Sequence, residues 1–266
     1  MNNKPLHTFI VLAYQQSPYL ENCIQSVLDQ KYNSKVIIAT TTLNNHIKHI
    51  AKKYNLDIKK TKHINIGNDF DFAKNSADTT LVTIAHQDDI YDSMYSYEVV
   101  QAYNKYPDAN IIFSDYYEIR NNIKTSTNTN LKIKKLLLTP LKIKKISNIK
   151  LIKRMSIRFG NSIGCPTVTF NNNNTPKKIF ESNFKANVDW YAWEKLSKIP
   201  GRFVFINKKL MGHRISQDTE TSKIINSGIR TKEDLIIYRK FWPKFIANLI
   251  NKLYRKAEKS NSIENK

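Results

Sequence analysis

The residues best suited to chemistry are two adjacent carboxylates that end an apolar run. Residues 81–92 read LVTIAHQDDIYD, so Val, Ile and Leu give way at once to His86, Gln87, Asp88 and Asp89. A run of this size reads as a buried strand. Two like charges at the tip of such a strand repel each other and lose hydration, so they call for a cation. A divalent metal carrying a phosphate would supply one. An acidic turn that caps the next helix is the simpler use of such a pair, and the pair alone does not choose between them.

The elements around the pair decide what can reach it. Residues 7–13 (HTFIVLA) form a strand candidate, followed by Tyr14 and by Ser17-Pro18 as helix-start residues, with Leu20, Ile24, Val27 and Leu28 at helical spacing. Residues 35–41 make a second strand ending at Thr41, 57–60 a weak third, 109–114 and 167–170 two more, and 202–206 the last. Helices are expected near 47–54, 70–77 and 94–106, and 183–196 reads as a loop entering a helix with Asp189 in its first turn. Alternation of strands and helices predicts an α/β, Rossmann-like, mainly parallel sheet flanked by helices. Ligands of such sheets bind at the carboxyl ends of the strands. Tyr14, Thr41 and His86 to Asp89 all lie at such ends and should meet in one crevice.

Length and composition narrow the class. A chain of 266 residues can bury one substantial core. Cys23 and Cys165 have no partner Cys or His at metal-ligand spacing and read as small buried hydrophobes of a reducing compartment. No apolar stretch approaches the length of a signal peptide or a membrane span, so a cytoplasmic location is expected. The net charge of +21 is unevenly placed. Residues 132–158 hold many Lys and Arg and no acid, interleaved with Leu and Ile, and the tail repeats that composition.

Taken in order, FIVLAYQQSPYLENCIQSVLDQ, TIAHQDDIYD, GNSIGCPTVTF, VDWYAWEKL and GHRISQDTETS resemble a family 2 glycosyltransferase of the GT-A fold over roughly residues 8–222. The resemblance implies an inverting transfer of one sugar from a nucleotide diphosphate, a UDP-sugar first, to a saccharide hydroxyl of a growing surface glycan. It places residues 1–222 in the catalytic domain, with the nucleotide-sugar part about 1–115, the acceptor part about 116–222, and 223–266 as a basic amphipathic helical tail. It implies Mn²⁺ or Mg²⁺ held by Asp88, the last acid of the family's metal motif, with Asp89 beside it and His213 as a third ligand. His86 stands where the family's motif has its first acid, and is read as a donor contact, with metal coordination and mere space-filling as the alternatives. Tyr14, Thr41, Asp69, Asp71, Gln87 and Arg214 complete the implied donor site, with Arg214 on the diphosphate. Asp69 and Asp71 serve equally well as helix-start acids.

On the acceptor side the resemblance makes Asp189 the catalytic base, with Trp190 as an aromatic wall and Pro166 and Cys165 lining the same side. A first-turn acid that stabilises its own helix is the structural use of Asp189, and core packing is that of the tryptophans. The family's preceding Glu is Val188 here, and a His often found two residues after the arginine is Ser216. In the tail, Phe245, Ile246, Leu249, Ile250, Leu253 and Tyr254 make one apolar face with Lys244, Lys252, Arg255 and Lys256 around it, and Trp242 nearby. Such a helix lies in an anionic membrane interface, on a partner, or on its own domain. The first choice gives a peripheral protein on the inner face of the cell membrane, acting on a lipid-linked acceptor. No helix-turn-helix, zinc-finger or RNA-binding signature supports nucleic acid as the partner.

Overall fold

A computed structural model describes residues 5–215 and 229–263, with side chains to 254. Ser216, Arg255, Lys256 and the expected boundary at residues 222 and 223 lie outside those descriptions. The strands are β1 (His7–Ala13), β2 (Lys35–Thr40), β3 (Asp57–Lys60), β4 (Leu81–His86), β5 (Ile90–Tyr91), β6 (Ala109–Arg120), β7 (Ile123–Thr125), β8 (Val168–Asn171) and β9 (Arg202–Ile215). They form one nine-stranded sheet in the order β3-β2-β1-β4-β8-β6-β9-β5, with β7 on β6. The sheet is mainly parallel, as expected. β8 runs antiparallel to both β4 and β6, so β6 and its parallel neighbour β9 regain the direction of β1 to β4.

Alternation along the strands builds two core layers. On β1, Phe9, Val11 and Ala13 face one side with Leu20, Ile24 and Val27 of helix α1 (Leu20–Leu28). Ile10 faces the other side with Val82 and Ile84, packed on Phe70 of α3 (Ile66–Asn75) and on Trp190 and Trp193 of α7 (Val188–Leu196). Period-two geometry therefore puts His86, two residues beyond Ile84, on the α3 side of the sheet. Its ring stacks on Phe70 at 5.6 Å and 8°. Helix α2 (Asn45–Lys53) is capped by Asn44, whose side chain accepts from the Ile47 N–H, and α4 (Tyr95–Lys105) covers the α1 side.

Three segments differ from the sequence reading. β6 and β9 run well beyond the expected 114 and 206, because each is the other's long partner, from Ala109 opposite Arg202 to Arg120 opposite Ile215. Residues 121–130, a polar stretch given no element in the sequence reading, include a hairpin through Asn121 and Asn122, both at positive φ, which Asn tolerates, and the start of α5 (Thr129–Leu137). The basic stretch becomes α5, two 3₁₀ turns and α6 (Lys150–Ile157). The C-terminal helices α8 (Ile229–Tyr238) and α9 (Lys244–Ile263) are present and docked. Ile237, Tyr238 and Ala247 belong to the core layer that holds Trp190. The Glu233 carboxylate accepts from the backbone N–H groups of Lys185, Ala186 and Asn187, which lead into α7.

Candidate active site

The turn from β4 to β5 closes with the Asp89 N–H donating to the His86 carbonyl at 3.1 Å. That turn gathers His86, Asp88 and Asp89, with one ligand atom of each inside a span of 4.8 Å. Asp89 is fully buried, and its Oδ1 accepts from His213 Nδ1 and from the Arg214 N–H, both at 2.9 Å. Its Oδ2 and the Nε2 of His86 are buried with no hydrogen-bond partner. Buried polar atoms are rarely left so, and two orphaned donor atoms in one cluster fit a divalent cation. One imidazole and two carboxylates are a donor set that a divalent cation can take. Burial, and then the neighbouring Asp89, push the Asp88 carboxyl above the usual range, the cost such a cation would offset.

His213 was expected as the third ligand; the residues whose ligand atoms lie together are His86, Asp88 and Asp89, and the Nδ1 of His213 is taken by Asp89 Oδ1. This follows from strand pairing: His213 lies on β9 opposite Glu118, one residue past Gly212, which pairs with Ile90. Burial draws its proton affinity down, but the Asp89 charge and hydrogen bond outweigh it and leave it raised. Arg214 is held on every side. Its Nε donates to the Asp88 carbonyl at 3.1 Å, its Nη1 to Asn122 Oδ1 at 2.9 Å, and its guanidinium lies 4.1 Å from the Tyr19 ring centre.

The other expected donor residues divide. Gln87 is a clamp: its Oε1 accepts from the Tyr14 N–H and its Nε2 donates to the Tyr14 carbonyl, both at 2.9 Å. The amide thus fixes the exit of β1 and leaves Tyr14 itself 38% exposed at the strand ends. Beyond it Gln15 adopts φ +54° and donates its N–H to Thr42 Oγ1 at 2.6 Å, tying β1 to the end of β2 beside the half-buried Thr41. Asp69 accepts from His63 Nδ1 at 2.6 Å and keeps a buried, unpartnered Oδ1. Asp71 does not face the crevice as a contact. Its two oxygens accept the N–H groups of Ile179, Phe180 and Glu181, so the expectation of a nucleoside contact gives way to a role in holding that loop.

On the acceptor side Asp189 sits in the first turn of α7 without capping it, because Asn187 is the N-cap residue and makes no side-chain cap bond. Its Oδ2 accepts from Asn161 Nδ2 and its Oδ1 from the Trp190 N–H, both at 2.7 Å. Burial raises its pKa, against the lowering effect of Asn161, the Trp190 N–H and the charges of Lys134 and Arg230. Burial, and then the charges of Asp189 and Asp89, push the Cys165 thiol up. Trp190 is no wall: it is 1% exposed and its indole N–H donates to the Ile157 carbonyl at 2.9 Å. Trp193 is equally buried, with its N–H on the Ile163 carbonyl at 3.2 Å. Pro166 is buried and takes the Tyr91 hydroxyl on its carbonyl at 2.6 Å, so it and Cys165 shape the floor rather than a binding face.

Sequence reasoning missed Asn161, Tyr19, Tyr116 and Lys134. Asn161 lies within the GNSIGCP stretch, so its segment was visible and its role was not. Lys134 stands in a run of lysines, where nothing in the local sequence tells the inward one from the rest.

A mainly parallel α/β sheet flanked by helices, with an acidic, metal-fitting turn at the carboxyl ends of its strands, is the arrangement of the GT-A fold. The model of glycosyl transferase family 2 matches residues 8–161, more than half of the chain, and the protein belongs to that family. Among solved structures, residues 1–349 of TarS from S. aureus in complex with UDP-GlcNAc share the fold at a TM-score of 0.63 and 13% identity, over 92% of this chain and 70% of that one. The mannosyltransferase PcManGT from Pyrobaculum calidifontis, in complex with GDP-Man and Mn²⁺, does so at 0.59 and 11%, over 94% of this chain and 70% of its own. No curated protein sequence matches the chain.

Proposed function

We propose that this glycosyltransferase moves one sugar from a nucleotide diphosphate, a UDP-sugar first, to a saccharide hydroxyl by a single inverting displacement. The observation that carries the proposal is the turn of His86, Asp88 and Asp89, with two buried unpartnered ligand atoms. His86, Asp88 and Asp89 would hold the cation, Mn²⁺ or Mg²⁺, and His213 would orient Asp89. When bound, the cation neutralises charge on the departing diphosphate. Asp189 takes the proton of the acceptor hydroxyl as its oxygen bonds to the anomeric carbon and the bond from that carbon to the diphosphate oxygen breaks. Asn161 and the Trp190 N–H hold the carboxylate and leave lone pairs free to receive that proton. Support for such a donor comes from two distant structural neighbours, which bind UDP-GlcNAc and GDP-Man.

The acceptor, in this reading, is a glycan on a lipid carrier, reached from an anionic membrane surface. Phe245, Leu249 and Leu253 of α9 are spaced by four and point outward, 74%, 58% and 58% exposed, while Ala247 and Asn251 face the protein. Leu136 and Leu151 of the basic stretch are also open. No helix among the described residues is long and apolar enough to cross a membrane. Trp242, expected at the headgroup level, is instead packed on Phe159 with its N–H on the Arg158 carbonyl at 3.0 Å.

Donor turnover with and without Mn²⁺ tests the assignment. The unmodified protein should require the metal, Asp88→Asn should lose most of the metal response, and Asp189→Asn should keep nucleotide binding but lose transfer. Unchanged turnover in both variants would refute it.

A further inference from the structure

Lys134 is a cation carried into the site by the basic stretch. It lies on α5, three residues after the buried Leu131, and its Nζ donates to the Tyr116 hydroxyl at 2.9 Å. Tyr116 is itself buried and meets the His213 ring edge-on at 6.2 Å, so the ammonium is two side chains away from Asp89. The Lys134 charge also acts on Asp189, together with that of Arg230 from α8. By contacts, it is linked through Tyr116 and His213 to the metal-fitting turn. Among the described residues no carboxylate lies within ion-pair distance of it, although the adjacent Lys135 pairs with Asp115 at 3.0 Å. Burial lowers the proton affinity of the half-buried Lys134, but the neighbouring Tyr116 and Tyr254 outweigh it and leave that affinity raised, so the ammonium stays charged. The phenol gives it one neutral acceptor and leaves two of its three donors for something else.

We infer that Lys134 is the anchor of a phosphate-binding subsite, in which its ammonium, positioned by Tyr116, donates to a phosphate oxygen beside the metal-fitting turn. This rests on the glycosyltransferase reading above and adds to it a residue outside the expected donor set. Two sources offer the same chemistry: the distal phosphate of the nucleotide diphosphate, and a phosphate on the acceptor. A lysine suits either, as a compact point charge on a flexible stem.

Calorimetric titration in Mg²⁺ separates the sources, with Lys134→Gln, Lys134→Arg and the unmodified protein compared at equal melting temperature. UDP and GDP are titrated first, and inorganic phosphate is then titrated into protein saturated with the nucleotide that bound. If the subsite serves the donor, Lys134→Gln weakens nucleoside-diphosphate binding by about tenfold or more, leaves the monophosphate unchanged, and Lys134→Arg restores most of the loss. If it serves the acceptor, nucleotide binding is unchanged, and the nucleotide-loaded protein binds phosphate in the unmodified and Arg forms but not in the Gln form. Equal binding of nucleotide and of phosphate by Lys134→Gln and the unmodified protein overturns the inference alone. Failure of the unmodified protein to bind either nucleotide overturns it together with the glycosyltransferase reading.

Discussion

Asp189 shows how one residue can satisfy two readings of a sequence. It is a first-turn acid, as the structural reading required, yet it caps nothing, and its oxygens are held by Asn161 and by the next N–H in the chain. Burial raises its pKa, which brings a carboxylate nearer to the range useful for proton transfer. A raised pKa also has a definite sign for stability. The folded protein binds this proton more tightly than the unfolded chain, so stability falls as pH rises from the unfolded value through the folded one. Asp189→Asn removes that loss. Its melting temperature at neutral pH should equal or exceed that of the unmodified protein, while turnover drops by roughly 10²- to 10⁴-fold. For the unmodified enzyme, kcat/KM should decline on the acid side at a pH above the ordinary aspartate range. A variant that melts well below the parent would show that the carboxylate is structural.

At the scale of elements, the site depends on two couplings that hold strand ends in place. The first is the Gln87 amide, which takes both backbone groups of Tyr14 and so locks the β1 exit to the β4 turn. Gln87→Ala leaves both groups without that partner, and nucleotide affinity should fall several-fold with little change in kcat, read by titration and steady-state kinetics. The second is the pairing of β9 with β5 and β6. A Cβ at Gly212 would lie 2.6 Å from Tyr117 Cε2 and 2.8 Å from Ile119 Cδ1, so Gly212→Ala forces the strands apart beside His213. The expected cost is about 1–3 kcal/mol in denaturant melts, with weakened metal response. The first coupling was partly legible, since Tyr14 and Gln87 both sit at strand ends. The second was not: the sequence reading stopped β9 at Ile206, because Asn207, Lys208 and Lys209 interrupt its apolar pattern. Those residues are exposed, and the ladder to β6 resumes at Lys209 opposite Asp115 after a register shift.

Across the whole molecule the basic charge is sorted by burial. Lys153 is turned inward onto the Ile199 and Gly201 carbonyls at 2.6 and 2.8 Å, and burial lowers its pKa to about 8. Other lysines stay outside among open apolar side chains. The apolar face expected on the last helix is divided by docking, with Ala247 against the protein and Phe245, Leu249 and Leu253 left in solvent. Three exposed apolar residues beside lysines fit an anionic bilayer surface. Phe245→Glu combined with Leu249→Glu should abolish co-sedimentation with vesicles containing anionic lipid and leave thermal stability within about 0.5 kcal/mol. Equal sedimentation of variant and parent would remove the membrane from the proposal.

The order of elements, the sheet class and the chemically loaded turn at Asp88 and Asp89 were determined by the sequence itself, because period-two and helical patterns and an acidic pair after an apolar run are local features. Which side chains serve the turn was decided by tertiary structure. His86 joins the cluster and His213 is bonded to Asp89, since β9 reaches the turn through pairing with β5 and β6, a register that no local pattern encodes. Asp71 and Trp190, each suited by type to a ligand, are spent on a loop and on the core because α3 and α7 bring them against backbone groups distant in the chain. Lys134 is singled out from its neighbouring lysines by the position of Tyr116, eighteen residues earlier and on another element.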